Sequence, residues 1–272
     1  MLEGENRLVQ LPHPDSDRFM NAGPFPHIVI DDVLDDDEAA AAVEAFPPTS
    51  WTGWKRYGDE YQPRKHICSD IEALPPPLQR LLDEMNRPAM LEWLQELTGI
   101  DHLVPDPHLE GGGLHCTAAG GTLTPHTDFH HYRRLALFRR INAILYLNDC
   151  WRENDGGELE LIGTESGEAE VRVEPRLGRL VVFRTDHDSV HGFTNPVREG
   201  TVRRSVATYY YTAQEAPQFS GDTNTYWRTH PSGGALHRAR LALYQGLLFG
   251  SRSLSWMAHR VNPNLGRNVR AR

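Results

Sequence analysis

Apolar positions in the first hundred residues recur at the three- and four-residue steps of helices, and from about residue 112 they alternate as in strands. The first apolar run, PFPHIVID, is short and bounded by Pro and Asp, which predicts a strand. DDDEAAAAVEAF then offers Asp caps and an acidic first turn before an Ala-rich segment stopped by Pro47 and Pro48, so a helix follows. Two further helices are predicted at 76–86 and 88–98, the second burying Met90, Leu91, Leu94 and Leu97. Beyond residue 112, LHCTAA, INAILYL, GELELI, AEVRVE, RLVVF and RRSVATYYYT are rich in β-branched and aromatic residues and are separated by GG, DGG, TESGE and PRLG turns. With brief strands through TLTPH and SVHGF the count reaches about eight, which suits a sandwich or jelly roll.

The expected organisation is one domain over 1–272: an N-terminal strand and supporting helices (1–111), a β core (112–212) and a basic C-terminal extension (213–272). The 272-residue chain is long enough for a sizeable core, and it lacks both the roughly 18 consecutive apolar residues of a membrane span and a secretory pattern at its start, so a cytoplasmic location is expected. Cys68, Cys116 and Cys150 form no C-x-x-C pair and imply neither a disulfide framework nor a structural zinc site. The net charge of -9 is uneven: residues 223–272 carry eight Arg and no acid, leaving -17 on residues 1–222. Those Arg, including Arg228, Arg267, Arg270 and Arg272, are spaced through apolar residues, which favours an intramolecular cover over a polyanion site. In ALHRARLALYQGLLFGSRSLSWM, Leu241, Tyr244, Leu247 and Leu248 share a helical face, read as packing on the domain or as a homodimer contact.

Seven of the 14 histidines lie between His108 and His191. In TPHTDFHH, His126 and Asp128 are two apart in a region of strand character, so imidazole and carboxylate point the same way and can share one ion. His191 follows Asp128 by 63 residues, directly after the strand RLVVF, and completes a set of two His and one carboxylate, which leaves other metal positions open as in non-haem Fe(II) oxygenases. Arg203 comes twelve residues after His191 and shares a strand face with Ser205; an Arg fork and a hydroxyl there suit a dicarboxylic cosubstrate. A one-residue slip would exchange Arg203 for Arg204. His130, His131 and His187 adjoin these residues and read as neighbours rather than ligands, and His115 and Cys116 read as a core pair. Trp51, Trp54, Tyr57 and Tyr61 fit a substrate wall and a core edge equally well, and of Tyr209, Tyr210 and Tyr211 at most one should face the pocket.

In order, PHTDF, ILYLNDCW, GGELEL, LVVFRTD, VHGFTNPVREG and RRSVATYYY resemble the prolyl-hydroxylase-like branch of the 2-oxoglutarate and Fe(II) dependent dioxygenases, over roughly residues 110–212. The resemblance implies a mainly β fold with added helices, a double-stranded β-helix of jelly-roll, cupin-like form. It implies His126, Asp128 and His191 as iron ligands, and Arg203 with Ser205 and Tyr146 as the site for the distal carboxylate of 2-oxoglutarate. O2 would be the second cosubstrate, succinate and CO2 the co-products, and ascorbate a reductant.

The expected activity is hydroxylation, or other oxidation, of an unactivated C–H bond in a small molecule such as an amino acid or natural-product intermediate, with no nucleic-acid or membrane partner. Three alternatives stand beside it: a prolyl hydroxylase acting on a protein, a redox-neutral cupin-like metal enzyme and a non-catalytic binding module. The last two leave Arg203 or the full metal set without a purpose.

Overall fold

A computed structural model describes residues 10–214, 225–227 and 235–261, with the side chains of His237, Leu248, Arg252, Ser255 and His259 outside the description. The elements begin with α1 (Ser16–Met20), β1 (His27–Ile30), α2 (Asp36–Ala45), β2 (Lys55–Tyr57) and β3 (Lys65–Cys68), followed by α3 (Pro76–Met85) and α4 (Pro88–Thr98). The strand region holds β4 (Val104–Pro105), β5 (Gly113–Thr117), β6 (Leu123–Thr127), β7 (His131–Tyr132), β8 (Leu137–Tyr146), β9 (Leu159–Ile162), β10 (Ala169–Val173), β11 (Leu180–Arg184), β12 (Val190–Phe193) and β13 (Arg203–Thr212). A short strand at Tyr226–Trp227 and α5 (Ala235–Val261) complete the described chain.

Local chemistry accounts for the helix ends. Asp35 caps α2 by accepting from the Glu38 amide at 2.9 Å. Proline opens both α3 and α4, and Gly99 ends α4 in the left-handed conformation at φ 67°.

The larger sheet runs β1-β11-β8-β13-β5-β3-β2, with β4 beside β13 and β7 beside β8, and the smaller sheet contains β10-β9-β12-β6 in that order. The ladders are antiparallel. Alternation along β8 and β13 builds two cores. Ile141, Ala143, Leu145, Val206 and Tyr210 turn outward to pack with Leu78, Leu81, Leu82, Met85, Leu94 and Leu97 of the helices. Ile144 and Tyr146 turn inward with Val181 and Phe183 to meet Leu159, Leu161 and Val173 of the smaller sheet. The Tyr210 hydroxyl also donates to the Met85 carbonyl, pinning β13 to α3. This two-sided burial explains why the two longest strands read as nearly continuous apolar runs.

Several expectations need adjustment. The β2–β3 hairpin occupies a stretch for which no strand was expected. Trp54 is buried, donates to the Pro48 carbonyl at 2.8 Å and meets the Trp51 ring edge-on at 5.2 Å, so both tryptophans belong to the core edge. His115 and Cys116 do not form one pair: Cys116 packs under the helices, where burial pushes its thiol up to about 12, and His115 lies on the opposite sheet face.

Residues 1–226 and 227–272 form two separate compact units, the second holding α5. On α5, Leu241 is buried and Leu247 is 65% exposed, so the apolar face expected from their spacing is not a single buried stripe. Leu248's side chain, Arg228 and the last Arg residues, Arg267, Arg270 and Arg272, lie outside the described residues. No helix among the described residues is long and apolar enough to cross a membrane.

Candidate metal centre and anion pocket

β6 and β12 pair so that His126 and His191 stand directly opposite one another, with ring centroids 4.5 Å apart. In each imidazole Nδ1 meets a carbonyl two residues back, Thr124 at 2.8 Å and Ser189 at 2.9 Å. That contact fixes the ring and turns Nε2 towards Asp128, which follows β6 directly. Nε2 of His126 is 3.7 Å from Asp128 Oδ1, and Nε2 of His191 is 3.4 Å from Oδ2. The three side chains place one donor atom each within 4.8 Å of one another, the only such group of His, Cys, Asp and Glu among the described residues. His130 and His187 lie outside it, their rings edge-on to each other at 5.6 Å, and His131 stacks on Phe138.

Two residues that the sequence reading passed over hold the carboxylate. Arg139 donates to Asp128 Oδ2 at 3.0 Å and Asn142 donates to the same oxygen at 2.7 Å, while Arg139 Nε also donates to Asn142 Oδ1 at 2.8 Å. The Arg139 guanidinium lies 3.3 Å over the Tyr209 ring. Burial alone would raise the pKa of Asp128; the Arg139 cation foremost, with the Asn142 hydrogen bond, outweighs it and holds the group well below its ordinary value. Burial lowers His126 to about 3 and lowers His191 too, so both rings are neutral. Neutral imidazoles beside an ionised carboxylate are the protonation states a divalent metal needs.

Arg203 and Arg204 point to opposite faces of the larger sheet. Arg203 is buried on the inner face, its Nε donating to the Gly157 carbonyl at 2.8 Å and a terminal nitrogen to the Tyr146 hydroxyl at 2.9 Å. Its guanidinium lies 4.5 Å over Phe193 and 4.9 Å over Tyr146. Arg204 points the other way, 5.6 Å over Phe46 on the helical side. Ser205 pairs directly with Tyr146 across the β13–β8 ladder, and its buried Oγ has no hydrogen-bond partner. A buried cation with no acidic partner among the described residues, an orphaned hydroxyl and a tyrosine hydroxyl on one face form a cradle suited to an external carboxylate. Gly157 shapes it: at φ 67° its missing Cβ would stand 3.2 Å from Arg203 Cδ.

Residues 61–65 close one flank of this interior. The Thr124 amide of the smaller sheet donates to the Tyr61 carbonyl at 2.8 Å, and the Ala118 amide, just past β5, donates to the Arg64 carbonyl at 3.2 Å. Lys65 then pairs with Thr117, which pairs with Arg203, so the three share one row of the larger sheet.

Residues 112–212 match the family model described as 2OG-Fe(II) oxygenase superfamily. Comparison with curated proteins gives no match. Among solved structures, a prolyl-4-hydroxylase from Pseudomonas putida is similar at 20% identity, covering 73% of this chain and 97% of its own, with a TM-score of 0.50. A prolyl hydroxylase from Trichoplax adhaerens, solved with a hypoxia inducible factor oxygen degradation domain peptide fragment, is similar at 15% identity, with 72% and 88% covered and a TM-score of 0.53. The two facing antiparallel sheets are thus a double-stranded β-helix.

Proposed function

We propose that this protein is a 2-oxoglutarate- and Fe(II)-dependent dioxygenase that hydroxylates or otherwise oxidises an unactivated C–H bond of a small molecule. The observation that carries this reading is the placement of His126, Asp128 and His191 in the same interior as Arg203, Ser205 and Tyr146. The three ligands would hold Fe(II), with Arg139 and Asn142 occupying one oxygen of Asp128 and leaving Oδ1 to the metal. Arg203, Ser205 and Tyr146 would hold the distal carboxylate of 2-oxoglutarate. When bound, iron and cosubstrate supply O2 activation and the electrons of oxidative decarboxylation, with succinate and CO2 as co-products. The protein's own residues orient and enclose: Phe183 and Phe193 press on His191 and Arg203, and the Tyr61–Lys65 segment is hydrogen-bonded to both sheets beside them. A redox-neutral metal enzyme would leave the cation of Arg203 and the Ser205 hydroxyl without a task.

Anaerobic addition of Fe(II) and 2-oxoglutarate should produce a metal-to-ligand charge-transfer band, accompanied in air by slow succinate release. His126→Ala should abolish both. A wild type that shows neither overturns the assignment. Gly157→Ala provides a subtler check: a left-handed alanine costs about 1 kcal/mol or more and crowds Arg203. It should weaken 2-oxoglutarate binding by roughly fivefold while Fe(II) affinity stays unchanged, as measured by titration of the same band.

A further inference from the structure

Lys65 is a cation that the site as described so far does not use. On β3, His66 and Cys68 face the helical side, where His66 lies edge-on to Trp54 and Cys68 joins the helix-packed core. Strand alternation therefore turns Lys65 and Ile67 to the inner face. The electrostatic surroundings agree: the charge of Lys65 is felt at His115, His126 and His191, and it interacts in turn with Asp128, Arg203, Asp59 and Arg139. Burial lowers its pKa to about 8, opposed by Asp128 and reinforced by Arg203, so most of the population is charged at neutral pH. Its side chain retains some solvent exposure, and its ammonium makes no hydrogen bond or ion pair with the described residues. A lysine held this deep without a partner is costly unless a ligand supplies one.

The position of Lys65 separates it from the 2-oxoglutarate cradle. Tyr146 flanks Arg203 from β8 on one side, whereas Lys65 lies two strands away on the other, at roughly 10 Å by the spacing of neighbouring strands. The segment that carries it is tied to both sheets, through Tyr61 to Thr124 near His126 and through Arg64 to Ala118, and the Arg64 guanidinium donates to the Ala119 carbonyl at 2.8 Å. This ammonium is thus carried on a fixed support, on the side of Arg203 away from Tyr146. The ligand group that fits such an ammonium is an anion, and a carboxylate is the one that small molecules most commonly carry.

We propose that Lys65 is a specificity-determining residue whose ammonium binds a carboxylate of the primary substrate, so that the substrate class is small carboxylic acids such as free amino acids. This rests on the dioxygenase reading above. The test uses wild type, Lys65→Met, Lys65→Arg and Arg203→Ala, with the protein amino acids and their carboxamides as paired probes. The charge-transfer band of the anaerobic Fe(II) and 2-oxoglutarate complex is recorded first, then its perturbation by each probe. In wild type at least one free acid should perturb the band with an affinity roughly tenfold or more above that of its amide. Lys65→Met should erase that preference, Lys65→Arg should keep part of it, and both should bind 2-oxoglutarate within about twofold of wild type. Acids and amides that act alike or not at all overturn the proposal, as does a preference that survives in Lys65→Met. Loss of 2-oxoglutarate affinity in Lys65→Met to the level of Arg203→Ala overturns it too, by making Lys65 a cosubstrate residue. A wild type without any band overturns the dioxygenase reading itself.

Discussion

Arg203→Ala is expected to weaken 2-oxoglutarate binding by roughly 100- to 1000-fold, the equivalent of about 3–4 kcal/mol, while Arg204→Ala changes it by no more than about threefold. The contrast arises from two neighbouring residues pointing to opposite faces of one sheet. Arg203 is buried between two aromatic rings with only neutral oxygens to contact, so an incoming carboxylate meets a cation already stripped of water. Arg204 is partly exposed and rests near Phe46 on the helical side. Titration of Fe(II)-loaded protein with 2-oxoglutarate, followed by calorimetry or by the charge-transfer band, separates the two. Equal losses in both variants, or a larger loss in Arg204→Ala, would reverse the assignment of the anchor.

Arg139→Met should damage the metal centre without touching the metal. We expect Fe(II) affinity to fall by roughly 10- to 100-fold, the usual consequence of removing a group that orients a ligand. We also expect the metal-free protein to lose about 3–5 kcal/mol, because a buried carboxylate is left without its cation. Arg139 and Asn142 bind the same oxygen of Asp128, so the surviving Asn142 contact keeps part of the geometry. Metal titration and urea unfolding of the metal-free protein measure the two effects independently. Wild-type metal affinity in the variant would show that Asp128 is positioned by the backbone alone.

The fold was legible wherever sequence period and burial agree. The apolar runs of INAILYL and SVATYYY, the Asp caps of α2 and the prolines that open α3 and α4 mark elements whose local preference and tertiary role coincide. The β2–β3 hairpin was not legible because KRY and KHIC are mostly polar, and their strand character comes from pairing with β5 rather than from propensity. Within the site, His126, Asp128, His191 and Arg203 stood out by spacing, and the structure gathers them into one interior. Asn142 carried a usable signal: it is a polar residue at an inward position of an apolar strand, sharing its face with Ile144 and Tyr146.

Arg139 carried no such signal. Simple alternation groups it with Ile141 and Ala143 on the helical face. Opposite Tyr210 and Tyr211, however, β8 holds Ile141 and then Arg139, so Arg140 is an extra residue and the alternation resets. That irregularity brings Arg139 to Asp128, and a two-residue period cannot foresee it.

The division of the site between the two sheets has a mechanical meaning. His126 and His191 belong to the smaller sheet, while Arg203, Ser205 and Tyr146 belong to the larger one, which alone is backed by helices α3 and α4. A dicarboxylate reaching from a metal on the histidines to Arg203 would therefore be a strut across a seam, its length matched to the gap between the sheets. Core substitutions beneath the helices, far from any ligand, would be felt at the metal as a change in that gap.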